Sequence, residues 1–214
     1  MKPPLHIALL GDSIFDNAHY VPGGCAVIDH LHSALPVESV TLLAVDGNTT
    51  CDVLTQLQRL PQDTTHLVLS VGGNDALDWL PSLERPTSSV MEALGYLHTI
   101  QAEFRGHYEG LLAQLKSTAK PVLVCTVYDA VPGLTPALKT ALSVFNDVIT
   151  RGALRHGFDL LDLRELLNQA QDYSAISPIE PSGSAGTKIS AEIVQWANRK
   201  ASQSTSKSDM PVGI

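Results

Sequence analysis

Apolar residues follow two patterns along the 214-residue chain. Near-continuous apolar runs of strand length recur at 6–10, 40–44, 66–71, 122–126 and 158–161. Between them, apolar positions three and four apart predict helices over 21–35, 51–60, 90–117, 136–155 and 186–201. A strand exposed on one face alternates apolar and polar residues, whereas a strand buried on both faces does not. The runs therefore predict parallel strands, and their alternation with helices predicts an α/β fold: a three-layer α/β/α sandwich around a five-stranded parallel sheet. Ligands of such sheets bind outside the carboxyl ends of the strands. The loops after strands one, two, three and five are accordingly the places to look for chemistry.

Composition narrows the function classes. No repeat and no Gly/Ser/Pro-rich linker divides residues 1–201, which predicts a single domain of a size close to the usual ~100–200 residues. Residues 202–214, SQSTSKSDMPVGI, lack an apolar period and are expected to form a mobile tail. With 44% hydrophobic and 17% charged residues and a formal charge of −8, the chain has a large core. It has no Lys/Arg-rich run to attract nucleic acid or an anionic membrane. No apolar run approaches the ~18 residues of a membrane span, and the amino terminus lacks the pattern of a secretory signal. Cys25, Cys51 and Cys125 are odd in number and widely spaced, so reduced thiols in a cytoplasmic protein are expected rather than a disulfide framework or a zinc site. Small-molecule or protein partners fit this composition better.

Three strand-end loops carry chemistry-bearing residues. The first is Gly11-Asp12-Ser13-Ile14-Phe15, which places an acid and a hydroxyl at a strand-to-helix turn. Phe15 occupies the place of the last glycine in a G-x-S-x-G elbow, so that motif is absent, and capping by Asp12 or Ser13 is the ordinary reading. The second is Val45-Asp46-Gly47-Asn48, where a backbone amide faces a ligand or simply turns the chain. The third is Ser70-Val71-Gly72-Gly73-Asn74-Asp75, in which two glycines precede a side-chain amide able to donate two hydrogen bonds.

Together, Gly11-Asp12-Ser13, Gly47 and Gly73-Asn74-Asp75 resemble, in the same order, the first three sequence blocks of the SGNH, or GDSL, hydrolases. The resemblance implies a flavodoxin-like sheet and an esterase or acylhydrolase acting on a small carboxylic ester, thioester or acylated metabolite. It also implies Ser13 as nucleophile and an oxyanion hole made by the Ser13 amide, the Gly47 amide and the Asn74 side chain. No cofactor or metal is needed for that chemistry.

The fourth block departs from the family. Its pattern is D-x-x-H, and the matching stretch here is Ser177-Pro178-Ile179-Glu180-Pro181-Ser182. Ser177 stands where the acid belongs and Glu180 where the histidine belongs, and no histidine follows His156. The usual Ser-His-Asp triad cannot be built. One account makes Glu180 the base. The unperturbed values of about 4.3 for Glu and about 6.5 for His mean a loss of ~3 kcal/mol in proton-accepting strength, which burial would recover. A carboxylate has no tautomer to orient, so the paired loss of the acid is consistent. A second account recruits His19, the histidine nearest Ser13 in the chain. A third is a non-catalytic binding protein for an acyl or sugar ligand in a preserved pocket. Asp12, Asp16, Asp75 and Glu180 also raise the question of a hard cation, although capping explains Asp12 and Asp16, and Asn17 beside them, more simply. Tyr20, Asp75, Tyr128, Asp129 and Tyr173 are further candidates for the pocket, and Trp79 for one of its walls.

Overall fold

The computed structural model describes residues 4–208, without the side chains of 204–208. Five parallel strands, β1 Ile7–Gly11, β2 Val40–Leu42, β3 His66–Ser70, β4 Val122–Cys125 and β5 Asp159–Leu161, form one sheet in the order β2-β1-β3-β4-β5. Ile7 of β1 lies opposite Val40 on one side and His66 on the other. The order reverses after β2, because β3 returns to the free side of β1. A crevice is therefore expected where the β1 and β3 ends diverge into their loops.

Alternate residues of each strand face opposite layers, which explains the unbroken apolar runs. Ala8, Leu10, Leu67, Leu69, Val122 and Val124 pack with α5 Val90–Ser117 and α6 Pro136–His156, chiefly through Phe104, Tyr108, Leu112, Phe145 and Ile149. Ile7, Leu9, Val68, Leu123 and Cys125 pack on the other side with α1 Val27–Ala34 and the long helix Gly183–Ser208, through Val27, Leu31, Ile189, Ile193 and Trp196. Both helices of the first layer begin at side-chain caps: Ser89 accepts from the Glu92 amide and Thr135 from the Leu138 amide. Gly157 in the left-handed region stops α6.

The structure shifts several boundaries. The helix expected over 21–35 begins only at Val27, because the Val21–Ala26 stretch contains Pro22 and two glycines and turns through a Gly24 to Val21 hydrogen bond. That expected over 51–60 contracts to α2 Val53–Leu57, with Asp52 bonded back to Thr49. Three short helices were not legible: α3 Gly73–Asp78, α4 Leu80–Leu83 and α7 Leu163–Leu166. The last helix, α8, runs through Ser208, so the tail expected from residue 202 is helical at its start; the remainder lies outside the described residues.

Candidate active site

Close approach of backbone shapes the turn that carries Ser13. Gly11 has φ +132°, and a Cβ there would fall 1.8 Å from the Ser70 carbonyl oxygen, so only glycine lets β1 meet β3 at this point. Gln56 of α2 reads both sides of that peptide, accepting from the Gly11 amide at 2.8 Å and donating to its carbonyl at 2.7 Å. The Asp12 amide donates to Ser70 O, its carboxylate accepts from the Ile14 amide at 3.2 Å, and its carbonyl accepts from the Phe15 and Asp16 amides. Asp12 thus caps the turn, and Ser13 is held at its apex, 7% exposed.

Candidate donors stand on the loops after β2 and β3. Asn74 lies in the first turn of α3, and its Nδ2 donates to Asn48 O at 2.9 Å, which leaves the second amide hydrogen for another acceptor. Gln56 Nε2 also donates to Asn48 Oδ1, so one buried side chain ties the end of β1 to the loop after β2. Gly47, at φ +80°, occupies an exposed turn immediately before Asn48, outside the residues that line the groove. The Ser13 and Gly47 amides have no acceptor among the described residues.

Opposite Ser13 stands Glu180. The Ser13 hydroxyl donates to Glu180 Oε1 at 3.0 Å, and Glu180 is only 5% exposed. Burial pushes its carboxyl up to about 7, with the Ser13 hydrogen bond working against the shift and the Asp46 charge adding to it. Its Oε2 is shut from solvent and has no partner among the described residues. In place of an orienting acid, the backbone on either side of Glu180 is tied down. Its amide donates to Ser177 O and its carbonyl accepts from the Ser174 amide. The Tyr128 hydroxyl donates to Ile179 O, and Asn17 Nδ2 donates to Pro181 O at 3.2 Å. Farther out, the Lys188 to Asp172 ion pair and the Ser182 amide bond to Asp172 O hold the loop to α8.

The remaining candidates fall into two sets. Asp12 and Tyr128 line the groove. Burial raises the Asp12 carboxyl to about 8 against the Ile14 hydrogen bond, with the Glu180 and Asp75 charges adding. His19, Tyr20, Asp75, Asp129 and Tyr173 do not line it. His19 is exposed on the turn Ala18–Tyr20 and makes no side-chain hydrogen bond among the described residues. Tyr20 donates to Asp46, Asp75 accepts from the Thr50 amide, and Asp129 pairs with Lys139. Tyr173 donates to Leu167 O and packs edge-on against Tyr128, so it supports the wall from behind. Asp16 accepts from the Asp46 amide. With these carboxylates engaged separately, no group of three or more metal-ligating side chains stands together among the described residues. Of the other histidines, His6 bonds Thr41 and Asp63 at the opposite end of the sheet, and His30 meets Gly183 O.

Three buried residues help build the site, Gln56, Asn17 and Asn146; only Asn17 carried a sequence signal, as a helix cap. Asn17 accepts from the Val27 amide, the helix-start role anticipated for it, and also reaches Pro181. Asn146 brackets both backbone groups of Val127, a groove residue.

From Ser13 a groove of about 870 Å³, mouth included, extends between α3, α4, α5 and α6. Its polar groups are confined to Asp12, Ser13, Asn74, Glu180 and the Tyr128 and Trp79 rings; the rest of the wall is aliphatic or aromatic, including Ile14, Leu97, Ile100, Val131 and Phe145.

No curated protein sequence matches the chain. Solved structures share the fold. A lipase/acylhydrolase from Enterococcus faecalis superposes with a TM-score of 0.65 at 21% identity, covering 92% of this chain and 97% of that one. An extracellular lipase from Streptomyces rimosus gives 0.65 at 19%, with coverage of 91% and 100%. An acetylxylan esterase from Geobacillus stearothermophilus gives 0.62 at 15%, with coverage of 92% and 96%. The model of the GDSL-like lipase/acylhydrolase family matches residues 9–180, from the middle of β1 to the glutamate that faces Ser13. With that match over most of its length, the chain belongs to the GDSL-like lipase/acylhydrolase family and is a hydrolase of the esterase type.

Proposed function

We propose that the protein is a serine acylhydrolase in which Glu180 replaces the family's histidine as base. The carrying observation is the 3.0 Å hydrogen bond from Ser13 Oγ to Glu180 Oε1, within the ~2.6–3.2 Å reach required of a general base. A value of about 7 for Glu180 supports the role, since it restores the proton affinity that an ordinary glutamate lacks.

Ser13 Oγ attacks the acyl carbon while its proton passes to Glu180. The carbonyl electron pair moves onto oxygen, where the Ser13 amide and the second Asn74 N–H form the oxyanion hole; the Gly47 amide, on an exposed turn outside the groove, is the third donor the family pattern implies. Each such donor is worth ~10²–10³ in rate. Collapse breaks the bond to the leaving alcohol or thiol, which takes the proton from Glu180. Water then adds to the acyl-serine with Glu180 accepting its proton, and collapse returns that proton to Ser13 as the carboxylic acid leaves.

The apolar groove supports an acyl group that is itself apolar, so the lipases among the similar structures are closer guides to the substrate than the acetylxylan esterase. Cys25, Cys51 and Cys125 are all free thiols, which supports a cytoplasmic location. No described helix is long and apolar enough to cross a membrane.

Labelling with a fluorophosphonate tests the reading without knowledge of the natural substrate. Covalent modification of Ser13, lost in Ser13→Ala, is expected. An unlabelled serine between pH 6 and 9 (about the span in which a base near 7 becomes ionised) would instead favour a protein that binds an acyl or sugar ligand without cleaving it.

A further inference from the structure

The turn that carries Gly47 and the loop that carries Glu180 are tied together through residues 16–20. The Asp46 amide donates to Asp16 Oδ2 at 3.0 Å, and the Asp46 carboxylate accepts from the Tyr20 hydroxyl at 2.8 Å. The Tyr20 carbonyl accepts from Ser174 Oγ, whose own amide donates to Glu180 O at 2.8 Å. From the same segment, Asn17 Nδ2 holds Pro181 on the other side of Glu180. A continuous path of hydrogen bonds thus leads from the Asp46 carboxylate to the backbone of Glu180.

The groups that face Glu180 come from several elements: Asp12 and Ser13 after β1, Tyr20 in the turn that follows, Asp46 after β2 and Tyr128 after β4. No Lys or Arg among the described residues acts on it. Asp12 keeps its proton up to about 8, so it is uncharged while Glu180 titrates near 7. Tyr20, pushed up to about 12 chiefly by its hydrogen bond to Asp46, and the buried Tyr128 are neutral there as well. Asp46 is left as the charge that acts on Glu180. A negative neighbour makes a carboxyl hold its proton more tightly. In a Ser-His-Asp triad the acid acts on histidine in the same sense, by stabilising the imidazolium.

We propose that Asp46, fixed by Tyr20, is a positioning residue standing in for the acid that Ser177 replaces: its charge acts on Glu180 through space, and its hydrogen bonds tie the Gly47 turn to the loop of the base. The inference rests on the acylhydrolase reading, in which Glu180 is that base. Asp46 and Gly47 are neighbours in one turn, so the bond that places the charge also places the Gly47 amide.

The test follows the pH midpoint of kcat/KM on p-nitrophenyl butyrate in variants of the full chain. Asp46→Asn removes the charge yet still offers Oδ1 to the Tyr20 hydroxyl, and its exposed position spares the fold. Its midpoint is expected about 0.5–1 pH unit below that of the parent, the effect of one charge several ångströms away in a partly solvated setting. Asp46→Glu should restore the parent's midpoint. At about 1 M salt, where exposed charges are screened beyond ~3 Å, the parent should move toward Asp46→Asn. Tyr20→Phe frees the Asp46 carboxylate and loosens the Gly47 turn, so its midpoint should fall as well, with kcat lowered about tenfold and KM within about twofold of the parent. A midpoint unchanged in Asp46→Asn, in Tyr20→Phe and in salt would overturn the proposal, since a merely structural role lowers activity without moving it.

Carbon NMR of glutamate-labelled protein separates this inference from the one beneath it. The Glu180 carboxyl resonance, assigned by its loss in Glu180→Gln, reports the titration without any turnover. A lower midpoint in Asp46→Asn supports the action of Asp46 even if fluorophosphonate labelling fails and the hydrolase reading falls. Labelling of Ser13 together with equal midpoints leaves the hydrolase standing and sinks the role of Asp46.

Discussion

The Ser13 hydroxyl meets Glu180 Oε1 across 3.0 Å although 167 residues separate them in the chain. The contact is made where β1 ends and where the loop before α8 returns over it. A buried carboxylate in this position does what the family assigns to histidine only if it remains basic enough.

Removal of that basicity is the first prediction. Glu180→Gln keeps size and burial but cannot accept the proton, so kcat is expected to fall by ~10²–10⁴. Ser13→Ala should abolish turnover at least as fully, whereas His19→Ala, an exposed side chain outside the groove, should stay within about twofold of the parent, as for surface substitutions of little energetic weight. Steady-state kinetics on p-nitrophenyl butyrate decide it; an inactive His19→Ala beside an active Glu180→Gln would overturn the glutamate base.

The pH profile is the second. Only ionised Glu180 accepts a proton, and its value is about 7. Hence kcat/KM should rise about tenfold per pH unit below that value and level off above it. An ordinary glutamate, near 4.3, would already give a plateau by about pH 5.5. A flat profile from pH 5.5 to 8 would show that no base titrates near 7, which would overturn the raised value for Glu180.

Stability should respond to the same group in the opposite sense. The native state keeps a proton on Glu180, raised to about 7, that the unfolded chain releases at its ordinary value. Stability from this source is therefore fully present below the unfolded value and declines as pH rises toward 7, by at most ~3 kcal/mol. Asp12, raised to about 8, acts in the same direction. Relative to Glu180→Gln, the parent should lose urea resistance between pH 5 and pH 8; a difference independent of pH would contradict the raised value.

Asn17 offers a test of how Glu180 is held. Its fully buried amide accepts from Val27 and donates to Pro181, next to Glu180. Asn17→Ala strands both partners, at a cost of ~1–3 kcal/mol each. Urea unfolding should register that loss, and kcat should fall further than KM rises because Glu180 drifts from Ser13. Lowered stability with kcat intact would mean that Tyr128 and the Ser174 and Ser177 backbone hold the loop without it.

Gly11→Ala should be among the most damaging single changes. The added methyl would overlap the Ser70 carbonyl at 1.8 Å and strain a φ of +132°. Circular dichroism and expression yield should show destabilisation well beyond the ~1 kcal/mol of an average point mutant.

Local pattern was enough for the architecture. Strands buried on both faces read as unbroken apolar runs, α5 was legible end to end from its apolar spacing, and Gly11, Ser13 and Asn74 at strand ends and Glu180 before the last helix stood out as block residues. Pattern failed where an element is short or its reason is distant. Helix α1 starts at Val27 because Asn17 meets the Val27 amide, and α3 and α4 are too brief for periodicity to show. Tyr20, Asp75, Asp129 and Tyr173 look like pocket residues by their place after strands, yet each turns to a partner elsewhere. Gln56 and Asn17 carry no motif, and their roles exist only because the chain folds Gly11, Asn48 and Pro181 against them. Most of all, the sequence marks Glu180 as the residue in the histidine's place and the base of one account, but whether its surroundings raise its proton affinity is decided only by the fold. Burial beside Ser13, a property of the assembled loops and of no single segment, is what lifts it to about 7.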